Sequence, residues 1–124
     1  MEIKEGLFYT ETHEWVEFTN KGTALVGLAD YAQDQLGDIA FINLCAVGDM
    51  LSAGEAMGDV ESIKAVSDII SPLGGTVLRV NEKALEKPEL INEDPYNTWL
   101  IEMDATDKSA LISPEEYEEL IASA

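Results

Sequence analysis

The sequence predicts an all-β fold trimmed with a few short helices. Three features carry that expectation. Short segments with strand character recur between turn signals at spacings typical of all-β domains. No linker or low-complexity stretch divides the 124 residues, so a single domain over 1–124 with one ordinary core is expected. Finally, Gly22-Thr23-Ala24-Leu25-Val26 is echoed by Gly75-Thr76-Val77-Leu78-Arg79, which suggests a quasi-symmetric pair of small sheets packed face to face.

The elements follow in order. Glu14-Trp15-Val16-Glu17-Phe18 alternates, with Val16 and Phe18 on one face. Asn20-Lys21-Gly22 marks a turn, and Thr23 to Leu28 forms a second strand. Asp30 is positioned to cap a short helix, Tyr31 to Leu36, with Gly37 as its stop. Ile39-Ala40-Phe41-Ile42-Asn43-Leu44 reads as a strand buried on both faces. Val47 to Glu55 reads as turn, short strand, turn. Strands over Ala56–Glu61 and Ala65–Ile70 flank Lys64. Gly75 to Val80 is a strand, and Asn81 to Glu86 a turn of helix. Thr98 to Met103 is the last strand, with Trp99, Ile101 and Met103 sharing a face. Ser113-Pro114-Glu115-Glu116 begins a C-terminal helix, with Ser113 as N-cap, Pro114 at the first helical position and Glu116 completing a capping box. Tyr117, Leu120 and Ile121 give it an apolar stripe.

Charge narrows the function. Seven Lys and Arg against 25 Asp and Glu leave a net charge of −18. No basic cluster exists to neutralise phosphates or to hold an anionic membrane, so neither nucleic acid nor membrane is an expected partner. Basic protein surfaces are, with salt-dependent encounter. No apolar run approaches a membrane span. The N-terminus has neither a signal-peptide nor a transit-peptide pattern, which points to the cytoplasm or to an already processed organellar chain. One cysteine, Cys45, excludes an internal disulfide and reads as half-buried and inert. One histidine, His13, excludes a histidine-rich metal site and reads as a packing or hydrogen-bonding residue. No nucleophile elbow, phosphate loop, dinucleotide fingerprint or zinc motif occurs. A non-catalytic protein is therefore expected.

Lys64 stands out because it is a lone cation between two strands in an acidic chain. The unit around it runs from Val47-Gly48-Asp49 through Lys64 to Ser71-Pro72-Leu73-Gly74-Gly75. That arrangement resembles the lipoyl and biotinyl carrier domains. Ile63 and Ala65 flank the lysine where biotinyl domains usually place methionines. Glu61-Ser62-Ile63-Lys64-Ala65 has the E-S-x-K-A form, which resembles the H-proteins of the glycine cleavage system. Matching blocks span nearly the whole chain: His13-Glu14-Trp15-Val16, Asp30 to Asp38, Glu61 to Asp68, and Leu90-Ile91-Asn92-Glu93-Asp94-Pro95-Tyr96 with Trp99 after it. Two departures stand beside them. Leu44-Cys45-Ala46-Val47-Gly48 lacks the family's proline, which restores a backbone N–H and is expected to loosen a turn. Asn97-Thr98 replaces a loop that usually contains glycine.

The resemblance implies a barrel-sandwich hybrid of the lipoyl type, with short peripheral helices and a C-terminal helix. It implies a lipoyl group on Lys64, at a tight hairpin tip that Ser62-Ile63-Lys64-Ala65, lacking Gly, Asn and Pro, does not announce. Glu61, Ser62 and Ala65 would be read by the lipoylating enzyme. Three further partners are implied. A pyridoxal-phosphate glycine decarboxylase loads an aminomethyl group, a tetrahydrofolate-dependent aminomethyltransferase unloads it, and dihydrolipoyl dehydrogenase reoxidises the arm. Thr12, Glu14 and Asp68 are expected to line a cleft that hydrogen-bonds the cationic amine of the loaded arm. A monomer is expected. The alternative role is relay of lipoyl groups to 2-oxoacid dehydrogenases.

Overall fold

A computed structural model describes residues 1–124. In chain order the elements are β1 (Phe8–Tyr9), β2 (Glu14–Phe18), β3 (Ala24–Leu28), α1 (Asp30–Leu36), β4 (Ile39–Leu44), β5 (Met50–Leu51), β6 (Ala56–Ser62), β7 (Val66–Ile70), β8 (Gly74–Val80), α2 (Glu82–Glu86), α3 (Leu90–Glu93), β9 (Ile101–Asp107) and α4 (Pro114–Ala122). Two antiparallel sheets result. One has six strands in the order β1-β2-β3-β9-β8-β5, and the other has three in the order β4-β6-β7. Val16, Val26, Leu28, Ile101 and Met103 of the larger sheet meet Ile42, Val60 and Ile69 of the smaller one in a shared core. A second cluster, Leu7, Tyr9, Trp15, Tyr96 and Tyr117, packs the N-terminal segment and α4 against the opposite face of β2.

This second cluster explains why β2 is buried on both faces at its start. Glu14, Trp15 and Val16 are all buried. The Trp15 indole lies directly over Gly27, its cross-strand partner, where a Cβ would collide with the ring. Its Nε1 donates to the Pro95 carbonyl at 3.0 Å.

Several sequence expectations need correction. The sheets are unequal, and the two echoed strands, β3 and β8, both flank β9 in the larger one. Their likeness reflects a shared neighbour rather than two matching sheets. Asp30 is the first helical residue of α1, and Ala29 occupies the cap position without a side-chain cap. The Asp30 carboxylate instead accepts from the Glu2 N–H at 2.8 Å and from Gln33 at 2.7 Å. β4 is covered on one face only. A bulge between Ile39 and Phe41 turns Ile39 and Ile42 inward and leaves Phe41 64% exposed, because nothing packs on the outside of the smaller sheet. The last strand starts at Ile101 and runs to Asp107, since Thr98 is held by α3, its hydroxyl donating to the carbonyls of Leu90 and Asp94. α3 and the two-residue β1 carry no signal long enough to read from periodicity.

The missing proline does not loosen its turn. The Cys45 N–H that a proline would lack donates to the Met57 carbonyl at 2.9 Å and prolongs the pairing of β4 with β6. Cys45 is half-buried, and burial raises its thiol pKa. The capping box at Ser113 is formed in full, and the Asn81 side chain caps α2.

Candidate functional site

Lys64 occupies the tip of the β6–β7 hairpin. The flanking pair is Ser62 and Ala65, with the Ser62 N–H donating to the Ala65 carbonyl at 2.8 Å, so Ile63 and Lys64 alone form the loop. Two-residue hairpin loops usually need positive φ, yet neither Ile63 nor Lys64 has it. Ser62 supplies the substitute. Its Oγ accepts the N–H groups of Lys64 and Ala65, both at 3.2 Å, a side-chain turn that closes the loop without glycine. The turn is therefore built by the local hydrogen-bonding capacity of the Ser62 hydroxyl, which no Gly, Asn or Pro accompanies.

The tip is fastened to the body of the molecule. The Ile63 N–H donates to the Asp38 carbonyl at 3.1 Å. Gly37 ends α1 at φ 75, and the stem of Lys64 lies over it: a Cβ on Gly37 would sit 3.1 Å from Lys64 Cε. Asn92 of α3 holds this corner in place. Its Nδ2 donates to the Gly37 carbonyl at 2.9 Å and to Gln33 at 3.0 Å, and its Oδ1 accepts the Ile39 N–H at 2.9 Å. Asn92 belongs to the Leu90–Tyr96 block, and this corner is what its side chain builds. Sequence reasoning assigned Asn92 no task.

Beside the hairpin lies a cavity of about 150 Å³. Leu28, Ala32, Leu36 and Val60 give it an apolar lining, and Thr12, Glu14, Gln35, Ser67 and Asp68 give it polar groups. Ser67 follows Lys64 by three residues, at most about 10 Å of extended chain. The structure thus brings Thr12, Glu14 and Asp68, far apart in sequence, to one cavity next to Lys64. Glu61 is on the sheet rather than in the cavity, opposite Phe41 and Val66.

Glu14 dominates the electrostatics. It is 1% exposed, and no cation pairs with it; the one ion pair in the chain joins Arg79 and Glu102. The Thr10 hydroxyl donates to Glu14 Oε1 at 2.8 Å, the Thr12 hydroxyl donates to the same oxygen, and the Ile70 N–H approaches Oε2 at 3.4 Å. These donors favour the carboxylate, but loss of water outweighs them and pushes the pKa up to about 7. The group is a buried carboxyl with hydroxyl and backbone donors but no cationic partner.

Asp68 contributes differently from what its residue type suggests. Its cross-strand partner is Asp59, and Asp59 Oδ1 accepts from Asn43 on the outer face of the small sheet. Residues directly opposite share a face, so the Asp68 side chain belongs to that outer face. Its backbone does not. β7 is an edge strand, and the Ile70 N–H points away from β6 toward Glu14. Two residues earlier, the Asp68 N–H and C=O point the same way, toward the cavity.

His13 borders the same cavity and was not expected to matter beyond packing. It is the one non-glycine residue with positive φ, at 73°. Its Nδ1 shares a 2.8 Å hydrogen bond with the Tyr117 hydroxyl, and its ring lies against Tyr31, with centroids 4.7 Å apart and planes tilted by 41°. Burial lowers its pKa and keeps the ring neutral. The left-handed turn at His13 lets both Thr10 and Thr12 reach Glu14, so α4 braces the cavity wall through Tyr117.

The glycine cleavage H-protein family model matches residues 7–124. A glycine cleavage system H protein of Lachnoclostridium phytofermentans is 51% identical over 122 residues, covering 98% of this chain and 96% of that one. One from Listeria monocytogenes is 44% identical, covering 98% and 99%. The crystal structure of a glycine cleavage system H protein from Mycobacterium marinum superposes with a TM-score of 0.91 at 37% identity, over 96% of this chain and 98% of that one. A lone lysine on a braced hairpin, in an all-β frame that such a structure reproduces from end to end, therefore has its place: the chain belongs to the glycine cleavage H-protein family.

Proposed function

We propose that this protein is the lipoyl-bearing carrier of a glycine cleavage system, with the lipoyl group attached to Lys64. The observation that carries the reading is the joint placement of an exposed hairpin lysine and a buried, uncompensated carboxyl in one adjoining cavity. The lipoyl group supplies a disulfide that takes up an aminomethyl group and later leaves a dithiol to be reoxidised. The chain itself supplies no acid, base or nucleophile to these steps, and the chemistry belongs to cofactors.

Its own residues have three tasks. The Ser62-closed turn presents Lys64 and holds the base of the arm still, while Glu61, Ser62 and Ala65 offer the local shape that a lipoylating enzyme reads. Tethering raises the effective concentration of the arm at each partner: glycine decarboxylase, aminomethyltransferase and dihydrolipoyl dehydrogenase. Between encounters the cavity shelters the loaded arm. Its cationic amine meets Glu14, the Thr12 hydroxyl and the main-chain carbonyl of Asp68, while Leu28, Leu36 and Val60 exclude water. The amine also supplies the charge that Glu14 lacks. Loading then pulls the Glu14 pKa below its empty-cavity value.

The relatives are named for glycine cleavage, which favours this reading over relay of lipoyl groups. No helix is long and apolar enough to cross a membrane. We place the protein in the cytoplasm as a monomer of one domain. Reconstitution with glycine decarboxylase tests the reading. Lipoylated protein is expected to support glycine–bicarbonate exchange, and its failure to do so with an active decarboxylase would contradict the role. Ammonia and formaldehyde release from the loaded arm is expected to quicken at least tenfold in Glu14→Ala. Unchanged release would remove the sheltering role.

A further inference from the structure

The outer face of the small sheet carries a row that the carrier chemistry does not use. Phe41, Glu61 and Val66 lie directly opposite one another across β4, β6 and β7 and so share a face. Phe41 is 64% exposed, Val66 68%, and Ile63 at the adjoining tip 74%. Exposed large apolar side chains in one row beside a functional lysine are not scattered surface residues. Phe41 is aimed there by the bulge at Ala40, a feature that re-aims side chains at working edges. The flanks are acidic: Asp38 behind the tip, Asp59 and Asp68 in the next row, and Glu61 in the centre. Lys64 is the only cation among them.

We infer that this face is the docking platform for the enzyme that acylates Lys64, and that the partner meets it with an apolar groove rimmed by basic side chains. Charge complementarity gives the rim, since a surface with four carboxylates is unmatched by anything but cations. Reach selects this partner over the others. Acylation needs the Lys64 Nζ itself at the donor carbonyl, so the acylating enzyme must accept the hairpin to within one lysine side chain of its backbone. Enzymes that act on the far end of the lipoyl arm do not need the Lys64 Nζ itself at their reacting centre. In the step served, the lysine nitrogen attacks the carbonyl of an activated lipoyl donor. The N–C bond forms, the bond from the carbonyl to its leaving group breaks, and the ammonium gives up two protons. The lysine's charge disappears, so the product leaves with one fewer cation at the centre of its acidic face.

This inference rests on the proposed attachment at Lys64, and the experiment separates the two. Unmodified wild type, Phe41→Ser, Val66→Thr, the double variant, Met50→Ser and Lys64→Arg are acylated by a purified lipoylating enzyme with a fixed activated donor. Met50 is 81% exposed on β5 of the other sheet and serves as the control. The double variant is expected to lose at least tenfold in kcat/KM, mainly through KM, with Met50→Ser within twofold of wild type. After prolonged incubation to full acylation, the double variant should support glycine–bicarbonate exchange at the wild-type rate, which also shows that it is folded. Equal acylation of wild type and the double variant overturns the inference while leaving the carrier role intact. So does a defect that appears only in exchange, which assigns the face to the decarboxylase. A wild type that is not acylated, or a Lys64→Arg protein that is, overturns both.

Discussion

Glu14 is the residue on which the account of the cavity turns, and its protonation is linked to stability. Its folded pKa is raised to about 7 from an ordinary 4.5. The folded state therefore binds this proton more tightly than the unfolded state does. The associated stability is complete below about pH 4.5 and is lost as pH rises to 7 and beyond. Glu14→Gln keeps the shape without the titration. Urea unfolding at pH 4.5 and pH 8 should show the variant gaining on wild type by up to about 3 kcal/mol across that window. A constant difference would place the carboxylate in a better-solvated site than the structure gives it. Gly27 makes a simpler prediction. A Cβ there strikes the Trp15 ring, which is pinned by Pro95 and walled in by Tyr96. Gly27→Ala should cost about 1–3 kcal/mol in chemical unfolding, against almost nothing if the indole were free to move. Neither residue's setting was legible from its own type. Glu14 was singled out only through its family block: alternation puts it on the same face as Val16 and Phe18, and its residue type gives no sign that a carboxyl is buried there. That β2 would be covered on both faces depends on α4 and the N-terminal segment, which lie far away in the sequence.

Elements were legible where local chemistry is self-contained. The capping box of α4 was read correctly because all its parts lie within four residues. The core strands were read because period-two patterns and turn residues coincide. The β6–β7 turn was not legible, since Ser62 does with a hydroxyl what glycine does with φ. Ser62→Ala removes the acceptor of two backbone N–H groups. It should lower stability by about 1 kcal/mol and slow acylation of Lys64, read by thermal melts and by rate of mass increase. A variant acylated at the wild-type rate would show that the partner imposes the turn itself. Helix α4 acts at a distance through Tyr117. Tyr117→Phe keeps the stacked ring against Tyr9 but loses the bond to His13. Release of ammonia from the loaded arm should quicken several-fold with the melting temperature changed by only a few degrees. Stability loss without faster release would make the contact merely structural.

At the scale of the whole molecule, the sequence was informative about class and reticent about arrangement. Short strands and turns announced an all-β fold, but the echo between β3 and β8 misled, because two strands can resemble each other by flanking the same partner. The site is assembled from β2, β3, α1, β6 and β7, so its geometry depends on long-range pairing that no local pattern encodes. Net charge is the property legible without any fold. At −18 it predicts that encounter with basic partners weakens steeply with salt. The KM for the protein in exchange or acylation should rise several-fold between low and physiological ionic strength with kcat unchanged, and a salt-independent KM would make the acidic surface a matter of solubility alone. All of the proposed roles depend on one covalent bond at one lysine. The intact mass of protein produced with lipoate and the lipoylating enzyme tests it most directly. Wild type should gain a single lipoyl increment and Lys64→Ala none. An unshifted wild type, or an increment that survives in Lys64→Ala, would contradict the account.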